Sequence, residues 1–178
     1  DIPTPAVAYL TRQEKADAGI VVSASHNPYE HNGIKVFNGQ GYKLSDALEE
    51  RVEQKILSDA EMPIKKGAEI GKRIHGMKNL KYEYIKYLAG TIEDDLGGLR
   101  VLIDCANGAA AATAPDLFGN FDIEADFIHR KPTGTNINLR CGSTYLRSLA
   151  AMVTAGEYDL GIAFDGDADR CLMIDERG

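Results

Sequence analysis

Two polar loops, each following an apolar run, carry the side chains in this sequence that could do chemistry. The first is Ser25-His26-Asn27-Pro28, after Gly19-Ile20-Val21-Val22. A serine hydroxyl is a weak nucleophile until a base or a metal activates it. Ser25 and His26 are adjacent, so they cannot both face one substrate in the order a Ser/His/Asp triad needs. Taken alone, the loop reads as an ordinary turn, because Ser and Asn side chains bond nearby backbone. The second loop is Asp165-Gly166-Asp167-Ala168-Asp169-Arg170, after the run 160–164. Carboxylates at i, i+2 and i+4 repel one another unless a cation sits among them. Gly166 and Ala168 are small enough to let the backbone fold around that cation, and hard oxygen ligands select Mg²⁺ or Ca²⁺ rather than zinc. Counted as an EF-hand, the loop puts Glu176 at its last ligand position but Arg170 where the calcium loop needs glycine. A solvated acidic turn is the remaining alternative, and it leaves Arg170 beside the carboxylates unexplained.

The two loops together carry a resemblance. Ser25-His26-Asn27-Pro28 with Asn32-Gly33-x-Lys35, followed far downstream by Asp165-Gly-Asp-x-Asp-Arg170, resembles the α-D-phosphohexomutase superfamily. Val22-Ser23-Ala24-Ser25 and Asp104-Cys105-Ala106-Asn107-Gly108-Ala109 resemble most its bacterial phosphoglucosamine mutase branch, and the likeness covers essentially the whole chain.

The resemblance implies an activity. The serine matching Ser25 is carried as a phosphoserine that donates to a sugar monophosphate. The bisphosphorylated sugar then returns its other phosphate, so glucosamine 6-phosphate and glucosamine 1-phosphate interconvert. Asp165, Asp167 and Asp169 match three Mg²⁺ ligands, one ion per site, and Ser25 supplies a fourth ligand through its phosphate. Lys35 matches an acid/base position, and His26 and Arg170 match groups close to the phosphoserine. A bisphosphorylated sugar is the expected activator, and a hexosamine phosphate the expected substrate. The charges agree with this assignment. A phosphoserine carries roughly −1.5 to −2 charges, which three aspartates would repel without a divalent ion, and phosphoryl transfer is mainly positioning plus electrostatic stabilisation. Lys35 has a plainer reading as the solvent-facing residue of an alternating strand. Alternatives in function are a sister mutase for mannose or glucose phosphates and a non-catalytic Mg²⁺ or sugar-phosphate binding module.

Composition narrows the partners. A net charge of −7 over 178 residues argues against nucleic acid, and no apolar run is long enough to span a membrane. Cys105, Cys141 and Cys171 are odd in number and lack C-x-x-C spacing, which suggests reduced thiols in a cytoplasmic protein. Relative to the family, the chain reads as an excised piece. It lacks the N-terminal loop with its glycine and arginine, the sugar-selecting third domain and the phosphate-binding fourth. Inactivity of the piece alone is therefore expected, with association through an unpaired sheet edge.

The loops need elements to hold them. Thr4 is expected to cap a helix running to about residue 18, with Pro5 in its first turn. The Ser25 strand follows, then a hairpin of 33–37 with 41–44. Ser45 caps a helix striped by Leu48, Val52 and Ile56. Residues 59–76 read as a connection with one short strand. A helix over 79–92 then carries Tyr84 and Leu88 on one face, with Tyr82, Tyr84 and Tyr87 as packing residues. Strand 100–105 opens into a small-residue loop whose N–H groups could meet an anion. A helix that Pro115 kinks or restarts, strand 123–128, a basic turn at His129-Arg130-Lys131, a helix capped by Ser143 and a last strand 171–174 complete the order. The alternation implies α/β layers. The resemblance implies two similar three-layer α/β domains with mixed sheets: the first, truncated at its N-terminus, over 1–77 with the phosphoserine loop, and the second over 78–178 with the metal loop.

Overall fold

A computed structural model describes residues 1–58, 63–74 and 79–178. The first unit holds α1 (Thr4–Gln13), β1 (Ala18–Ser23), β2 (Gly33–Asn38) and α2 (Asp46–Leu57). The second holds α3 (Leu80–Ala89), β3 (Arg100–Asp104), α4 (Ala110–Phe118), β4 (Glu124–Ile128), α5 (Arg147–Ala155), β5 (Leu160–Phe164) and β6 (Cys171–Asp175).

The second unit is a mixed sheet in the order β4-β3-β5-β6. β3 runs parallel to β4 and β5, and β6 closes one edge antiparallel to β5. Val101-Leu102-Ile103 is continuously apolar because β3 is covered on both faces. Val101, Ile103 and Cys105 face α4 through Ala110 and Ala114. Leu102 faces α5 through Leu149 and Val153, together with Ala163 and Ile174. This helix–sheet–helix sandwich fixes the carboxyl ends of β3 and β5, where the candidate loops begin.

In the first unit β1 and β2 form a two-stranded antiparallel sheet, with Val22 opposite Ile34 and Ser23 opposite Gly33. α1 packs on this sheet and on α3, whose Tyr84 and Tyr87 lie against Tyr9 at ring distances of 5.8 and 4.3 Å. Tyr84 and Tyr87 are packing residues, as expected, whereas Tyr82 is 54% exposed because it lies on the outer face of α3; α3 touches α4 as well, so it ties the two units together.

Several expectations shift. α1 stops at Gln13, because Lys15 turns into the left-handed region at φ 53° and reverses the chain. Pro3 holds the N-cap position without a side-chain cap, and the Thr4 hydroxyl is used elsewhere. The hairpin partner of β2 is β1; residues 41–44 contribute only the bridge Phe37–Lys43, since the Asn38 carboxamide accepts from Gln40 and Tyr42 N–H and curls the turn. Ser45 sits at the N-cap of α2 as expected, but makes no side-chain cap bond. Leu48, Val52 and Ile56 remain exposed among the described residues. α5 begins at Arg147 rather than beside Ser143, whose N–H is bonded to the Phe164 carbonyl at the end of β5. Of the expected connection, Gly67–Glu69 is a 3-10 turn, not a strand. Residues 59–62 and 75–78, including the expected boundary at 77, lie outside the described residues.

Candidate active site

Ser25 leaves β1 in the left-handed region, at φ 52°. That conformation is uncommon for a residue with a Cβ and marks a loop fixed by its surroundings. Its N–H donates to the Ser23 hydroxyl at 2.8 Å, and the Asn27 N–H donates to the Ala24 carbonyl at 2.9 Å. The aspartate loop arrives from β5, and its Gly166 lies against Ser25. A Cβ on Gly166 would come within 2.5 Å of the Ser25 carbonyl oxygen, so glycine is required there. The two loops, 140 positions apart in the sequence when counted from Ser25 to Asp165, therefore meet in space.

Asp165, Asp167 and Asp169 each bring a carboxylate oxygen within 4.8 Å of the others. Asp165 is fully buried and Asp167 3% exposed. Asp165 Oδ1 accepts from the Asp169 and Arg170 N–H groups at 3.2 Å. Asp165 Oδ2 and Asp167 Oδ1 are buried with no hydrogen-bond partner among the described residues. A buried carboxylate oxygen left unpaired costs free energy unless a cation or donor meets it. The residues present thus fit a small divalent ion held by oxygen.

Asp167 is the most heavily partnered of the three. Lys35 Nζ, projecting from β2, bridges Asp167 Oδ2 and Asp169 Oδ2 at 2.7 Å each. The Thr4 hydroxyl donates to Asp167 Oδ2 at 2.5 Å, and the Thr4 N–H donates to the Asp167 carbonyl at 2.9 Å. Burial alone would raise the Asp167 pKa, but hydrogen bonds from Lys35 and Thr4, with the Ser25 side chain adding to them, hold it below the usual carboxylate range. Burial raises the Asp165 pKa, against the opposing Arg170 N–H. For Lys35, burial opposes the charged form, yet the bonds to Asp167 and Asp169 prevail and raise its pKa, so it stays an ammonium. Lys35 is therefore in the site, not a solvent-facing strand residue.

Arg170 lies farther out, its Nε 3.9 Å from Asp165 Oδ2 and Asp169 Oδ1. His26 stands apart. It lines a cavity of about 350 Å³ with Pro28, Tyr29, Ile137, Asn138 and Arg140, whereas Asp167 and Gly166 line a cleft of about 310 Å³ with Ser23, Ala24, Asn107 and Gly108. The structure brings Ser25, Lys35 and the three aspartates together, sets Arg170 at the rim and leaves His26 facing the neighbouring cavity.

The loop after β3 does not offer its N–H groups to an anion. Ala106 N–H donates to Asp104 Oδ1, Asn107 N–H to the His129 carbonyl, Gly108 N–H to the Cys105 carbonyl and Ala109 N–H to the Gly166 carbonyl. It acts as a cradle for the aspartate loop. Asp104 is fully buried, and its Oδ2 also accepts from Gly142 N–H at 2.8 Å. His129 Nδ1 lies 3.1 Å from the same oxygen, so the basic turn folds inward at this residue while Arg130 and Lys131 are exposed. Cys141 completes that cluster, but burial pushes its thiol up to about 12, which keeps it protonated.

Comparison with known proteins decides the family. Residues 1–62 match "Phosphoglucomutase/phosphomannomutase, alpha/beta/alpha domain I", and residues 82–178 match domain II of the same family. The chain belongs to the phosphoglucomutase/phosphomannomutase family. It is 52% identical over 180 residues to phosphoglucosamine mutase of Ruminiclostridium cellulolyticum, covering 99% of this chain and 39% of the relative. It is 50% identical over 180 residues to phosphoglucosamine mutase of Clostridium kluyveri, covering 99% of this chain and 40% of that one. A phosphoglucomutase/phosphomannomutase family protein from Burkholderia thailandensis shares the fold at TM-score 0.74 and 24% identity, over 99% of this chain and 39% of the other. The chain thus spans about 40% of the length of the relatives it matches. Among the described residues no helix is long and apolar enough to cross a membrane.

Thr4 and Asp104 carry no local signal in the sequence that marks them as site residues. The Thr4-Pro5 pair looks the same whether the hydroxyl caps its own helix or reaches another loop, and Asp104 sits inside an otherwise apolar strand end.

Proposed function

We propose that this chain is the phosphoryl-transfer portion of a phosphohexomutase acting on glucosamine phosphates, with Ser25 as the residue that carries the phosphoryl group. The first domain is assigned to residues 1–77 and the second to 78–178, and the two family matches support that division. One observation carries the reading: the strained Ser25 loop lies directly on an aspartate loop that keeps two buried carboxylate oxygens unpaired. Asp165, Asp167 and Asp169 would hold a Mg²⁺ ion, which when bound would offset phosphate charge and polarise the phosphoryl group.

The chain's own residues then divide the work. The Ser25 O–P bond breaks as the new bond to a sugar hydroxyl oxygen forms, and the hydroxyl proton passes to the Ser25 oxygen that is released. Lys35, held as an ammonium by two carboxylates, supplies positive charge beside the reacting oxygens. Thr4 fixes Asp167, and Arg170 contributes charge from the rim. His26, the residue after Ser25, lines the neighbouring cavity rather than the cleft of the aspartate loop.

The test uses the full-length polypeptide with Mg²⁺ and a bisphosphorylated sugar primer, comparing glucosamine 6-phosphate, glucose 6-phosphate and mannose 6-phosphate. Preference for the amino sugar, lost in Ser25→Ala, is the expected result. Preference for a neutral hexose would move the protein to the sister mutases. Normal turnover by Ser25→Ala would refute the phosphoserine role.

A further inference from the structure

We infer that Asn138 is a positioning residue that sets the Ser25 loop against the aspartate loop. This rests on the reading of Ser25 as the phosphoryl carrier. Asn138 lies in the long polar connection between β4 and α5, and its side chain crosses to the first unit. Its Nδ2 donates to the Ser25 carbonyl at 2.7 Å and to the Asn27 carbonyl at 2.9 Å. These two carbonyls flank His26 and span the tip of the loop. A primary amide has two N–H donors on one nitrogen, which matches two carbonyls side by side. An aspartate at this position would present oxygen to oxygen, and an alanine would leave both carbonyls unbonded.

Asn138 is itself held. Its N–H donates to the Ala106 carbonyl at 2.9 Å, and Ala106 belongs to the loop whose Ala109 N–H grips the Gly166 carbonyl at 2.8 Å. The Nδ2 also lies beside Gly166, where a Cβ would come within 2.8 Å of it. A short series of bonds thus runs from the aspartate loop through the β3–α4 loop to Asn138 and on to Ser25. Asn138 adopts φ 56°, a left-handed conformation that asparagine tolerates better than most residues. The strained backbone places the amide; the amide places the serine loop. Phosphoryl transfer depends on in-line placement, and a displacement of about 1 Å can cost about a hundredfold in rate.

The experiment compares wild type, Asn138→Gly and Asn138→Asp in the full-length polypeptide. Glycine accepts φ 56° without strain, so Asn138→Gly removes the amide while leaving the backbone free to fold as before. Hydrogen exchange is followed by mass spectrometry on peptides covering residues 23–31, with β3 and β5 as references. Loss of the two bonds to the Ser25 and Asn27 carbonyls is expected to loosen the loop and speed exchange across residues 23–31 about tenfold or more, with β3 and β5 unchanged. In turnover of glucosamine 6-phosphate, kcat is expected to fall about a hundredfold with KM within about twofold. Asn138→Asp is expected to be at least as severe. Wild-type exchange at 23–31 in Asn138→Gly overturns the inference, as does faster exchange spread equally over β3 and β5. The exchange readout does not need turnover. A wild-type protein inactive on every sugar phosphate would therefore strike the proposed function while leaving this inference to the exchange data.

Discussion

Gly108→Ala offers a sharp test of how the aspartate loop is held. Gly108 opens the turn into α4, with the Ala109 N–H bonded to the Gly166 carbonyl at 2.8 Å. A Cβ at residue 108 would lie 2.7 Å from both the carbonyl carbon and the Cα of Gly166, and closer still to its carbonyl oxygen. Ordinary van der Waals contact begins at 3.4 Å. The aspartate loop would have to retreat by 0.7 Å or more, the difference between 3.4 and 2.7 Å. The opposing atoms are backbone, so no side-chain rotation relieves the clash. Overpacking of this kind costs about 1–3 kcal/mol. If these 178 residues melt as one cooperative unit, that corresponds to a fall in the Tm of that transition of roughly 2–12 °C. The displacement also moves Asp165 and Asp167, so Mg²⁺ affinity should fall about tenfold or more, on the view that shifted ligands lose the geometry a small hard cation needs. Calorimetric Mg²⁺ titration and thermal melting of the full-length polypeptide measure both. Gly71→Ala is the control, because nothing lies within 4 Å of a Cβ there. Wild-type Mg²⁺ affinity and Tm in Gly108→Ala would refute the cradle.

Thr4→Val keeps shape and removes the donor to Asp167; loss of a hydrogen bond to a charged group should cost about 1.5–3 kcal/mol and weaken Mg²⁺ binding, read by melting and titration. Asp165 and Asp167 should respond with opposite signs in chelator at pH 7. The raised Asp165 pKa means stability is lost as pH rises from the unfolded carboxylate value through the folded one, so Asp165→Asn should melt higher. The lowered Asp167 pKa means its stabilisation is present above the unfolded value and lost as pH falls through the folded one, so Asp167→Asn should melt lower. Shifts of the same sign in both variants would contradict this account. Iodoacetamide at pH 8 should modify exposed Cys171 well before Cys105 and Cys141, whose buried thiols are pushed up to about 12; peptide mass mapping reads the order. Ile20, Val22 and Ile34, exposed at 64, 67 and 70%, share one face of the β1–β2 sheet, so this chain alone should self-associate and Val22→Lys should reduce it; a strict monomer at high concentration in light scattering would contradict that.

What was legible in the sequence was local. The apolar runs of β3 and β5 announce buried strands because both faces are covered, and the polar residues after β1 and β5 mark where chemistry begins. The partners of those residues were not legible. Thr4 and Asp167 are 163 positions apart, and Asn138 and Ser25 113 apart, so no short-range pattern joins them. Lys35 was ambiguous for the same reason: an alternating strand says which way a side chain points relative to its neighbours, not whether solvent or a carboxylate pair waits there. The stripe of α2 marks a helix, yet Leu48, Val52 and Ile56 stay exposed, because burial depends on surfaces that the helix's own residues do not encode. The N–H groups after β3 looked free to meet an anion because a buried Asp104 carboxylate and the Gly166 carbonyl, which occupy two of them, cannot be placed from local spacing.

The two holds on the reactive loops run in opposite directions. Thr4, in the first unit, steadies Asp167 in the second, while Asn138, in the second, steadies Ser25 in the first. Neither unit carries the full instructions for its own reactive loop. A chimera that joins the first unit of one relative to the second unit of another would therefore inherit both sets of reactive residues and still lose their alignment, unless the two crossing contacts travelled with them. Substitutions at one end of each contact should be tolerated only alongside a matching change at the other.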